Sequence, residues 1–133
     1  MREIKFRGRD KRYDGTWEPW MYGSLDLSDL WPAIIENGPP LSVQRETVGQ
    51  YTGLKDKNGV EIYEGDVVEA DCGDNGFMVG VVCYWHKTGA YMMWTDTETG
   101  FMLGVRENRV IGNVFDNPEL KERFWKIWEG NQK

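Results

Sequence analysis

Apolar and polar residues alternate with a period of two along much of residues 66–115, and with a period near 3.6 after residue 117. The alternation predicts strands near 66–71, 77–86, 90–95, 101–106 and 109–115. They are separated by turn chemistry at 73–76, 87–89, 96–100 and 107–108. Within 77–86, Phe77, Val79, Val81, Cys83 and Trp85 share one face, and Met78, Gly80, Val82, Tyr84 and His86 share the other. The second face is too apolar to be simply wet. A cover is expected from the N-terminal part, from the C-terminal helix or from another subunit.

Upstream, residues 49–68 hold two turns and three short apolar runs. Asn58-Gly59 suits a two-residue type I′ hairpin turn, which needs positive φ at both central positions. Asp56 offers a second geometry, a type I turn over 56–58 closed by a left-handed Gly59. Leu54 lies on the incoming arm, and Val60 and Ile62 alternate on the outgoing one. Glu64-Gly65-Asp66 makes another turn before Val67.

The first half is less regular. Residues 4–7 alternate as a strand, and Asp14-Gly15 marks a turn into 17–25. Pro19 makes 17–25 an edge or irregular strand. Residues 28–31 start a short helical turn that Pro32 opposes. Residues 33–36 read as strand and 37–40 as loop. Residues 44–48 fit either a strand or a turn. At the other end Asn117 suits a helix N-cap, Pro118 the first helical position, and Glu119 the positive end of the helix dipole. Leu120, Phe124, Ile127 and Trp128 form one apolar stripe, Trp125 lies off it, and Gly130 ends the pattern.

At 133 residues the chain fits one domain of ordinary size, or one with a small N-terminal extension. The first residues are charged and lack a signal-peptide core, and no apolar run approaches the roughly 20 residues of a membrane span. A soluble protein, most simply cytoplasmic, is the expectation.

The formal net charge of −6 argues against general nucleic-acid binding, which draws on clustered cations. The charge is unevenly placed. Arg2, Lys5, Arg7, Arg9, Lys11 and Arg12 crowd the N-terminus, while Glu61, Glu64, Asp66, Glu69, Asp71 and Asp74 meet no basic residue. The pattern favours the two regions as neighbours, within a subunit or across an interface. A DNA or RNA contact at the basic end is the alternative.

Cys72 and Cys83 fall roughly 20 Å apart on a hairpin at about 3.3 Å per residue, too far for a disulfide. Two thiols in a reducing compartment are expected. Together with His86 they form no zinc pattern. Glu61, Glu64, Asp66 and Glu69 are scattered over different faces and read as solvated, and the Gly in 56–59 comes too early for a calcium loop. No metal, cofactor or catalytic residue is expected.

Seven Trp and six Tyr are more than one small core can hold, and surplus rings are most often used at protein interfaces. Phe124, Trp125 and Trp128 are the candidate interface residues. Base stacking on exposed rings is the less favoured use.

Four segments together resemble the YopX family. They are 2–7 (Arg-Glu-Ile-Lys-Phe-Arg), 20–23 (Trp-Met-Tyr-Gly), 49–68, and 111–120 (Ile-Gly-Asn-Val-Phe-Asp-Asn-Pro-Glu-Leu). The resemblance runs almost end to end and implies a β-rich protein encoded by a phage or prophage, mainly of Gram-positive hosts. It carries over no catalytic or binding residue. The 65–68 strand entry followed by Gly80-Val81-Val82 is also similar to SH3-like barrels of KOW-type modules.

The expected fold is therefore mainly β (α+β). It has an irregular β-rich part over 1–48, an SH3-like barrel with a leading hairpin over 49–116, and a C-terminal helix over 117–133. Two functional readings follow. The first is a non-enzymatic, homo-oligomeric protein-binding or assembly module acting on a host or phage protein. The second is a nucleic-acid-binding accessory factor that uses Arg2, Lys5, Arg7, Arg9, Lys11 and Arg12. An enzyme comes third, because no nucleophile–base pair, phosphate-cradling loop or metal motif is present in the sequence.

Overall fold

The computed structural model describes residues 3–132, and its chain divides into two compact units at Gly53/Leu54. In the first unit the strands are β1 (Phe6–Arg9), β2 (Trp20–Asp26), β3 (Ala33–Ile35), β4 (Leu41–Ser42) and the start of β5 (Gly49–Lys55). They are ordered β4-β3-β2-β1-β5 and antiparallel, with Arg7 opposite Tyr22 on one side and Gly49 on the other. The sheet curls until its far end meets β1 again. Lys11 N–H donates to the Ser42 carbonyl (3.0 Å), Gln44 N–H donates to the Arg9 carbonyl (2.7 Å), and Asp10 bridges Val43. Ile34 and Val43, both fully buried, fill the curl. Gly8 belongs there because a Cβ would lie 2.8 Å from a Val43 methyl.

Two first-half expectations change. β2 lies between β1 and β3 and is not an edge. Pro19 stops just short of it and supplies a carbonyl to Asp10 N–H, so its missing donor costs the ladder nothing. Residues 28–31 form no helical turn. Asp26 and Asp29 take the Ser28 and Leu30 amides with their side chains, an arrangement that competes with helix. Residues 45–47 form a short 3-10 turn, one of the two forms expected there.

The second unit holds β6 (Glu61–Tyr63), β7 (Asp66–Asp71), β8 (Phe77–Trp85), β9 (Ala90–Trp94), β10 (Gly100–Met102), β11 (Asn108–Asn113) and helix α1 (Pro118–Gly130). Its antiparallel sheet runs β10-β9-β8-β7-β11. Both faces are apolar, as the alternation in β8 demands. Val81 and Cys83 pack with Val67, Val114 and the α1 residues Leu120, Phe124 and Trp128. On the other face Val82 packs with Ile62, Val68, Ala70, Tyr91, Met93 and Leu103. The helix thus covers one face, and the sheet curls over the other. Close approach of α1 to β11 requires glycine at 112, where a Cβ would sit 2.7 Å from a Leu120 methyl.

The barrel expected over 49–116 is not formed, and the sheet stays open between β10 and β11. The outer edge of β11 is occupied instead by the 56–57 turn. Lys57 N–H donates to the Asn108 carbonyl (2.9 Å), and Val110 N–H donates to Asp56 Oδ2 (2.9 Å). That turn is the type I form. Gly59 N–H reaches the Asp56 carbonyl (3.0 Å), Gly59 has φ +82, and Asn58 keeps negative φ. Asn117 occupies the N-cap position of α1, where its carbonyl accepts the Lys121 N–H (2.8 Å) but its side chain makes no capping bond. Its Oδ1 accepts the Asn113 N–H (3.0 Å), which ties the helix start to β11.

The β9–β10 loop contains the one described non-glycine residue at positive φ, Glu98 at +65. Glycine, and less often asparagine or aspartate, is at ease there, and glutamate is not. Glu98→Gly is expected to raise stability by about 0.5–1 kcal/mol, seen as a higher urea midpoint.

Candidate functional site

Lys5, Arg7 and Arg9 fall on alternate positions along β1 and the residue before it and share one side, and Lys11 lies in the turn that follows. Each lies over an aromatic ring: Lys5 Nζ 5.4 Å from Tyr51, Arg7 Cζ 4.6 Å from Trp20, Arg9 Cζ 5.0 Å from Tyr13, and Lys11 Nζ 4.0 Å from Trp31. Arg9 also donates to Gln44 Oε1 (2.8 Å). Arg7 is buried, and Lys5 and Arg9 are half-buried. Rings and cations here stabilise one another, at about 0.5–2 kcal/mol per pair.

Arg12 differs. Its guanidinium grips the buried Asp10 carboxylate through Nε (3.2 Å) and Nη2 (2.9 Å), while most of its own side chain remains in solvent. The Arg12 hydrogen bond outweighs the opposing effect of burial and holds the Asp10 carboxyl below its ordinary value. Arg2 lies outside the described residues. Of the six cations named from the sequence, the structure thus leaves Lys11 and Arg12 the most accessible among those described.

These two line an open cleft of about 480 Å³, together with Asp10, Pro40, Leu41 and Ser42. The β2–β3 loop stands beside it, because Val43 N–H bonds the Pro32 carbonyl (2.9 Å) and Lys11 covers Trp31. Arg45 holds that loop by donating to the Leu30 carbonyl (2.7 Å). The loop and the cleft expose large apolar side chains: Leu27 by 67%, Leu30 by 79%, Trp31 by 40% and Leu41 by 43%. Sequence reasoning did not single these out. The available signal was two leucines in a Ser/Asp-rich stretch stopped by Pro32, where no regular element could bury them.

The candidate interface on α1 is distributed otherwise. Phe124 and Trp128 are 0% and 2% exposed and lie inside the second unit's core, which leaves no surface for a partner. Trp125 is half-buried, packs edge-on against Phe115 (6.1 Å), and donates its indole N–H to Glu129 (3.2 Å). Both cysteines are free thiols. Burial, reinforced by the Glu64 charge, pushes Cys83 up to about 12, so it is protonated and unreactive near neutrality. No group of three His, Cys, Asp or Glu residues suited to a metal occurs among the described residues. No described helix is long and apolar enough to cross a membrane.

The family model described as YopX protein matches residues 5–122, most of the chain. No curated protein matches it.

Proposed function

We propose, from the premise that the chain belongs to the YopX family, that it is a non-enzymatic protein-binding module that associates with copies of itself. On this reading it is a phage- or prophage-encoded accessory protein that acts on a host or phage protein in the bacterial cytoplasm. One observation carries the reading: Leu27, Leu30, Trp31 and Leu41 are exposed at one corner of the first unit, beside the cleft bearing Lys11 and Arg12. Apolar side chains gathered around a ring and rimmed by cations have the composition of a protein interface, in which a few anchors supply most of the affinity.

Sedimentation velocity at micromolar concentration tests this. The native chain is expected to sediment as a multimer, and Leu30→Asp with Leu41→Asp to return it to monomer with its circular dichroism unchanged. A monomeric native chain overturns the proposal. The nucleic-acid reading is less well supported, since Lys5, Arg7, Arg9 and Lys11 each lie on a ring of their own unit and Arg12 holds Asp10. It expects a salt-sensitive gel shift lost in Lys11→Ala with Arg12→Ala.

A further inference from the structure

Asn-Gly pairs occur at 37–38, 58–59 and 75–76, each in a turn or loop with both residues exposed. They differ in what holds the glycine amide. Gly59 N–H donates to the Asp56 carbonyl and Gly76 N–H to the Gly73 carbonyl, both at 3.0 Å. The asparagines before them are held as well. Asn58 N–H donates to Asp56 Oδ1 (2.8 Å), and Asn75 N–H donates to the Cys72 carbonyl (3.3 Å) within a 3-10 turn. By contrast, neither Gly38 N–H nor the Asn37 side chain bonds any described residue, and nothing lies within 4 Å of where a Gly38 Cβ would sit. The sequence explains the difference. A turn over 36–39 or 37–40 closes through the N–H of its fourth residue, and those residues are Pro39 and Pro40, which have none.

An asparagine followed by glycine is open to attack by its own backbone. The glycine nitrogen gives up its proton to hydroxide and bonds to the asparagine Cγ, and the Cγ–Nδ2 bond breaks with ammonia leaving. Water then opens the cyclic imide at either carbonyl and yields aspartate or isoaspartate. The first step needs the glycine amide free to ionise and the asparagine ψ free to turn its Cγ toward that nitrogen. A hydrogen bond on the amide opposes both. We infer that Asn37 is a self-modifying site, converted by water to aspartate and isoaspartate in the native chain, while the fold protects Asn58 and Asn75. The product places a carboxylate in the loop leading to Pro40 and Leu41 of the first-unit cleft. As isoaspartate it also adds a backbone methylene between the paired residues Ile34 and Leu41. The inference does not depend on that cleft being an interface.

Peptide mapping of the full chain by mass spectrometry, sampled during incubation at mildly alkaline pH, reads all three sites at once. Asn37 is expected to convert at least about tenfold faster than Asn58 or Asn75, the equivalent of about 1.4 kcal/mol in barrier. In urea that unfolds the chain the three rates should converge, because each asparagine then has only its glycine to set it apart. Chromatography should resolve both products at position 37, since direct hydrolysis of the side chain would give aspartate alone. Gly38→Ala should suppress conversion with the circular dichroism unchanged, as the added Cβ meets nothing. Should that variant disturb the fold, the native and unfolded rates of the unaltered chain decide the matter by themselves. Equal rates at the three native sites overturn the inference, as does an Asn37 that stays intact in the native chain. A lead for Asn37 that persists undiminished in urea also overturns it, by assigning the selectivity to local sequence and not to the fold.

Discussion

Replacing Phe124 with alanine is expected to destabilise the chain by about 3–5 kcal/mol, the usual cost of emptying a large aromatic site in a packed core. The ring is fully buried between α1 and the sheet, among Val67, Val81, Cys83 and Val114. Those neighbours come from β7, β8 and the segment after β11, whose backbones are tied by ladders, so they are poorly placed to collapse into the space. The urea midpoint should fall with little change in slope. Trp128→Ala should cost a similar amount, since Trp128 is 2% exposed and packs edge-on against Phe115 at 5.7 Å. Trp125→Ala should cost about 1 kcal/mol or less, because that ring is half-buried and its polar partner Glu129 is exposed. The contrast separates two roles for the helix. Were the Phe124 and Trp128 rings interface anchors, their loss would change the oligomeric state and leave the unfolding midpoint of the dissociated chain nearly intact.

The second unit was legible because its periodicities are strong and agree with its turn chemistry. β8 is nine residues of alternation in which both faces are apolar, and both turn out to be covered. The helical stripe already placed Phe124 and Trp128 on the face of Leu120. Counting rings across the whole chain then suggested a surplus and pulled them toward an interface. Composition carries no information about which rings are spent in the core. The first unit was harder because β3 and β4 are three and two residues long, too short for a period to register. The pairing of each N-terminal cation with a ring depends on register and on loops distant in sequence. Only the period-two spacing of Lys5, Arg7, Arg9 and Lys11 hinted at it. That the sheet stays open is hidden in the sequence for a related reason. Asp56 is recognisable in the sequence as a turn former, but nothing local shows its second oxygen reaching an amide 54 positions away.

That carboxylate is the basis of the second large effect. Asp56 Oδ1 accepts the Asn58 and Val60 amides at 2.8 and 2.9 Å, which closes its own hairpin, and Oδ2 accepts Val110 from the edge of β11. Asp56→Ala leaves three backbone donors without their acceptor and should cost about 3 kcal/mol. Asp56→Asn keeps one acceptor oxygen but sets an NH₂ against at least one N–H, so it should recover only part of the loss. Burial works to raise the Asp56 pKa, but the three amide hydrogen bonds and the nearby Lys57 charge prevail and hold it below its ordinary 3.8. A depressed folded-state pKa contributes stability that is complete above the unfolded value and is lost as pH falls through the folded value. The stability gap between native chain and Asp56→Asn should therefore be widest near neutral pH and should narrow once the pH drops below 3.8. Asp10, also held low by its partner Arg12, titrates in both proteins and cancels in the difference. Urea midpoints of the two proteins across the acid range measure the gap directly. A gap that stays constant through that range would mean that the Asp56 charge adds nothing beyond its shape, and that the edge of β11 is held by the Lys57–Asn108 backbone bond alone.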